Sequence, residues 1–185
     1  MDNGESSYRR FLAGDIEGLR EIINAYQYGL VLYLNSLVHN IRTAEELTAD
    51  TFTELAVRRP RFSGKCTFKT WLFAIGRNLT AKYIRKYART VNVPLESMED
   101  LAAEEDLEQS YIQNEQKCMV HQAMRQLKPE YQQVLYLSFF EEFSNEQTAR
   151  IMHKTKRQVE NLLYRAKQAL RSELERRGFQ YDGSR

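Results

Sequence analysis

Proline and glycine are scarce in this chain, three and eight among 185 residues, and the strict apolar–polar alternation of half-buried strands is missing. Those absences argue against a turn-rich all-β fold. There are only two cysteines, Cys66 and Cys118, far apart, without C-x-x-C spacing and without neighbouring histidines. They read as reduced thiols, not as a disulfide framework or a zinc site. No apolar run is long enough to cross a bilayer, and the start, Met1-Asp2-Asn3-Gly4-Glu5, is too polar and acidic for a signal peptide. A cytoplasmic protein without stable membrane insertion is therefore expected. Chemistry is missing as well. His39, His121 and His153 are scattered, no glycine-rich phosphate loop is present, and the acids cluster mainly in one stretch. No catalytic constellation, metal site or cofactor site can be assembled, so an enzyme is not expected.

The charge is distributed with more purpose than its near-balanced sum of +2 suggests. From Arg58 to Arg89 there are ten Lys and Arg residues and no acid, whereas Glu96 to Glu115 holds eight acids and no Lys or Arg. Basic density returns from Arg150 to Arg177. Two basic blocks flanking an acidic segment suggest two modules that meet an anionic partner, joined by a linker that does not.

Apolar residues at three- and four-residue spacing predict helices over about Asp15–Val38, Thr43–Arg59 and Phe68–Arg89, the second stopping before Pro60. Phe68, Trp71, Leu72, Ile75, Leu79 and Tyr83 form the expected core face of the third, which leaves Phe73, Arg77 and Tyr87 on another face, freer to bind. The stretch Thr90–Gln113, with Pro94 and few large apolar residues, reads as a flexible linker with room for one short helix. Beyond it, Pro129 suits the first turn of a helix over Glu130–Phe140. Ser144 with Gln147, and Thr155 with Gln158, are capping boxes opening helices to about Met152 and about Arg177. Two helices around a three-residue turn make a helix-turn-helix, with Ala149 and Met152 packing on Val159, Leu163 and Ala166. The expected fold class is all-α: two small helical domains, the C-terminal one carrying the helix-turn-helix.

Lys156, Arg157, Gln158, Asn161, Arg165 and Lys167 then surround the exposed side of the last helix, where N-terminal residues can reach base edges and later cations can meet phosphates. A helical hairpin with a solvated basic face is the plainer alternative. The basic helix Phe68–Arg89, with Lys69, Arg77, Lys82 and Arg85 interleaved with aromatics, could track and stack on single-stranded DNA, although Phe68 and Trp71 are better placed for packing. Ahead of it, the loop from Phe62 through Ser63, Gly64, Lys65 and Cys66 to Thr67 allows close backbone approach at Gly64.

Four segments, in order, carry a resemblance to extracytoplasmic-function (ECF) sigma factors of the sigma-70 superfamily. Residues 43–52, TAEELTADTF, resemble the family's DAEDLxQExF segment, and residues 68–78, FKTWLFAIGRN, resemble FRTWLxxIARN. Residues 127–135, LKPEYQQVL, are similar to the LPPxxRxVL opening of region four, and residues 143–152, FSNEQTARIM, to LSYEEIAEIL. The resemblance implies region two over 1–90, an acidic linker over 91–114 and region four over 115–185. It implies docking on core RNA polymerase through Glu45, Glu46, Asp50 and Phe52. It further implies capture of a flipped −10 base by the Phe62–Thr67 loop and Asn78, −35 duplex recognition by the last helix, and an anti-sigma partner. Two departures stand out. The usual Gly-Ile-Ser turn is replaced by His153-Lys154-Thr155, and Glu160 and Leu162 stand where cationic or polar residues are common. The competing expectation is a helix-turn-helix regulator that binds duplex DNA without polymerase.

Overall fold

The computed structural model describes residues 3–91 and 115–178, and among them every regular element is helical. The chain runs α1 (Asn3–Leu12), α2 (Ile16–Val38), α3 (Ile41–Thr53), α4 (Phe68–Val91), α5 (Glu115–Arg125), α6 (Pro129–Leu135), α7 (Asn145–Met152) and α8 (Lys156–Arg176). The expected linker falls almost wholly outside the described residues.

Helix α2 begins where Asp15 accepts a hydrogen bond from the Glu17 amide, and ends at His39 in the left-handed region, φ 52°. It is the axis of the N-terminal unit. Helix α1, which the periodicity did not single out, crosses α2 at Gly18, where a Cβ would run into the Ser7 carbonyl. Tyr8 and Phe11 project from α1 into an aromatic cluster with Phe62, Phe68 and Trp71. The Tyr8 hydroxyl donates to the Pro60 carbonyl at 2.7 Å, tying α1 to the segment ahead of α4. Burial pushes that hydroxyl's pKa up to about 12, with Arg59 opposing the shift.

The helix expected to stop before Pro60 does stop there, but its last turn, Glu54–Arg58, widens to π geometry. The same happens after α6, over Tyr136–Phe140. Pro129 occupies the first turn of α6, and both capping boxes form with reciprocal side-chain bonds. Between α7 and α8, His153 takes φ 54° and the Lys154 amide donates to the Ala149 carbonyl at 2.9 Å. The atypical turn therefore has the geometry a glycine would ordinarily supply, at the modest cost a left-handed histidine carries. Val159 and Ala166 are fully buried behind it and Ala149 nearly so, which is the helix-turn-helix packing the spacing predicts.

The two units do not lie apart. Helix α4 packs on α7, and α2 packs on α6, so one apolar core runs through both. Tyr33 sits at that junction, with ring centroids 5.6 Å from Phe73 and 6.2 Å from Tyr136, and Phe73 meets Phe143 edge-on at 5.1 Å. This corrects one expectation. Phe73 is fully buried, not free to bind, because the second unit supplies the hydrophobic cover that one unit alone lacks.

Candidate polymerase and nucleic-acid surfaces

Three surfaces carry the residues singled out from the sequence. The first lies between α2 and α3, where Leu19, Ile23, Val31, Ala49 and Phe52 line an apolar groove of about 560 Å³ with Glu45 at its edge. Glu46 and Asp50 are exposed on the same helix, while Phe52 is buried and offers the groove only an edge. Tyr28, which lines the groove and is 52% exposed, was not among the sequence candidates. Its position on the outer side of α2 could have been found from helical spacing. An apolar trough with an acid in its lining suits a helix of opposite charge.

The second surface is the 62–67 loop with the outer face of α4. Gly64 takes φ 70° with open space around it, so the loop backbone can be approached closely. Ser63, Lys65, Asn78, Lys82 and Arg85 are exposed. Phe62 is half-buried against Phe68 and Trp71, and so belongs mainly to the aromatic cluster. Much of this surface is already engaged by the other unit. Arg150 donates to the Lys65 carbonyl at 2.7 Å, Gln147 donates to the Thr67 hydroxyl at 3.4 Å, and His153 Nε2 lies 2.9 Å from Asn78 Oδ1. Lys69 turns away from solvent to pair with the Glu141 carboxylate at 2.8 Å and to donate to its backbone carbonyl at 2.9 Å. Below it, the Tyr33 hydroxyl and Arg77 Nε are buried with no hydrogen-bond partner among the described residues. Burial pushes the Tyr33 hydroxyl well above its ordinary range, with Arg77 opposing. An unsatisfied buried polar group costs about 1–3 kcal/mol, so this junction is packed at an expense.

The third surface is the start of α8. Arg157, Asn161 and Arg165 are exposed along it, and so is Glu160. Lys156 pairs with Glu146 at 2.9 Å, and Lys167 lies over the Phe139 ring at 5.1 Å. The Gln158 carboxamide oxygen accepts from the Thr155 amide at 2.8 Å, so part of this side chain is spent on the cap. Tyr164, 67% exposed on the same helix, is an addition that the charge pattern could not reveal.

Two family models match in the order these surfaces occur: "Sigma-70 region 2" over residues 22–90 and "Sigma-70, region 4" over residues 119–170. The ECF RNA polymerase sigma factor BldN of Streptomyces coelicolor is 29% identical over 163 residues, 87% of this chain and 62% of BldN. The chain belongs to the ECF sigma factors. The RNA polymerase sigma factor YlaC of Bacillus subtilis is 25% identical over 160 residues, 85% of this chain and 92% of YlaC. In fold, this sigma factor is similar to the sigma factor RpoE solved with the anti-sigma factor NepR from Bartonella quintana, with a TM-score of 0.68 at 22% identity, covering 84% of this chain and 96% of that one. Among the described residues of the sigma factor, no helix is long and apolar enough to cross a membrane, and no cluster of ligating side chains could hold a metal.

Proposed function

We propose that this sigma factor binds core RNA polymerase through the α2–α3 groove, captures the opened −10 strand with the 62–67 loop and α4, and reads the −35 duplex with the start of α8. The observation that carries the reading is the pairing of two different exposed basic elements with a separate apolar groove that has Glu45 in its lining. A regulator that binds duplex DNA alone needs the helix-turn-helix but has no use for the other two surfaces.

Each surface has a physical task. Glu45 in the groove lining, with Glu46 and Asp50 exposed on the same helix, supplies charge complementarity, while Tyr28 supplies rigid contact area. Asn78 can hydrogen-bond an unstacked base, and Lys82 and Arg85 can follow the phosphates of the displaced strand. Taking a base out of the stack costs a few kcal/mol, which a fitting pocket offsets. Arg157 and Asn161 face the side a major groove would occupy, while Arg165 and Lys167 are placed for phosphates. The domains follow as region two over 1–90, the acidic linker over 91–114 and region four over 115–185. We infer a protein without enzymatic activity that works in the cytoplasm to start transcription of a stress- or signal-dependent set of genes. An anti-sigma factor that clamps both units belongs to the same reading, supported by the likeness in fold to a sigma factor solved with one. Gel filtration with core polymerase tests the first step: co-elution supports it, and separate elution at micromolar concentrations speaks for the duplex-binding regulator.

A further inference from the structure

The contacts between the two units converge on the surface assigned to strand capture, and one of them is built with unusual care. Glu141 lies against Gly29 on α2, in a notch that any side chain would fill, since a Cβ there would overlap the carboxylate. From the notch it reaches Lys69, whose ammonium also sits 4.9 Å from the Phe143 ring centroid and 5.7 Å from that of Phe73. Lys69 is a cation of the basic helix, and here it is 31% exposed and turned inward. Around this pair, Arg150, Gln147 and His153 occupy the Lys65 carbonyl, the Thr67 hydroxyl and the Asn78 amide. Those are the groups a captured strand would need. The junction also buries the Tyr33 hydroxyl and Arg77 Nε without partners, which keeps it releasable instead of permanent.

We propose that the chain latches itself closed: Glu141, seated in the Gly29 notch and paired with Lys69, holds the helix-turn-helix unit over the 62–67 loop and Asn78, so strand capture requires the units to part. The inference rests on the reading of that loop and Asn78 as the −10 surface. Docking on polymerase would then favour the parted form as far as polymerase binds that form more tightly than the closed one.

The test uses the full chain and two substitutions outside the DNA-facing sets. Glu141→Lys sets a like charge against Lys69, and Gly29→Leu wedges the notch from the other side. Small-angle scattering reads the dimensions, circular dichroism the helix content, and fluorescence anisotropy the affinity for a labelled single-stranded DNA of mixed sequence. The latch predicts a compact wild type, two expanded variants of unchanged helicity, and binding about tenfold tighter in both, as expected when a closed population of about nine-tenths is released. A wild type as expanded as the variants would overturn the latch, whatever the DNA binding. Expanded variants that bind DNA no better than a wild type that does bind would show that closure leaves the site open, and would overturn it equally. Expanded variants that, like the wild type, bind no single-stranded DNA would leave the latch standing and count against the −10 reading instead.

Discussion

At the scale of single residues, the two sets proposed to face DNA should separate by the physics of their contacts. Arg157 is exposed at the opening of α8, so Arg157→Ala should shift preference at one upstream base pair and cost about 1–3 kcal/mol there. Arg165 lies two turns further along. Arg165→Ala should weaken binding evenly across sequences and reduce the salt slope by about one unit, as loss of a phosphate contact does. A binding titration over several salt concentrations and a small set of upstream sequences distinguishes the two, and a base-specific loss at Arg165 would reverse the assignment. Asn78→Ala should impair open-complex formation yet spare a duplex carrying only the −35 element. Equal losses on both templates would make Asn78 a residue of the fold, its only role being the contact to His153. Glu141 gives a prediction about pH. Its carboxyl is held above the ordinary carboxylate range, because burial outweighs the hydrogen bond and charge of Lys69, and Glu142 adds to the shift. A group whose pKa is raised in the closed form favours closure fully below its ordinary value, and loses that effect as pH rises through the raised one. Acidifying from neutral pH through the raised value toward the ordinary carboxylate range should therefore compact the chain in scattering, and Glu141→Gln should remove most of that dependence. Expansion on acidification would contradict it.

The helices themselves show what a sequence makes legible. Local chemistry was readable because its partners lie within a few residues. Helix α2 begins beside Asp15 as expected, Pro129 opens α6, and Ser144–Gln147 and Thr155–Gln158 close their boxes as spaced. The left-handed turn at His153 was readable for the same reason. Helix α1 was not, since its ten residues carry a short amphipathic pattern that makes sense only against Gly18 and the aromatic cluster. The π turns at Glu54–Arg58 and Tyr136–Phe140 were also invisible, because widening a helical turn leaves the apolar spacing almost unchanged. Phe73 was misplaced for a different reason. Its burial comes from Phe143, seventy residues away, which no helical wheel can supply. The cap of α8 supports a prediction at this scale. Thr155→Ala removes the hydroxyl that accepts from the Gln158 amide and should cost about 1 kcal/mol, read as a lowered denaturation midpoint. It should also blur base preference, since Arg157 is placed by that first turn. An unchanged midpoint would mean that the cap contributes nothing to stability.

For the molecule as a whole, the candidate sites were legible as surfaces but not as a state. Charge and apolar spacing singled out the cations of α4 and the start of α8, the family resemblance the acids of α3, and all three sets are accessible in part. That α7 and the turn after it would lie across the 62–67 loop and Asn78 could not be read, because it depends on Gly29 and Glu141 meeting from opposite ends of the chain. Docking in the α2–α3 groove is not independent of that junction, since Tyr28 lines the groove beside Gly29 and feels the Glu141 carboxylate. Asp50→Arg should weaken core binding without altering helix content, and normal affinity in a folded variant would remove Asp50 from the docking surface. The central claim is that this chain gives RNA polymerase promoter specificity, and run-off transcription over a genomic promoter library tests it most directly. Core polymerase alone should start at none of the promoters, and adding the chain should yield discrete start sites that share one upstream and one −10 element. Duplex binding by the chain with no polymerase-dependent start sites would contradict the account.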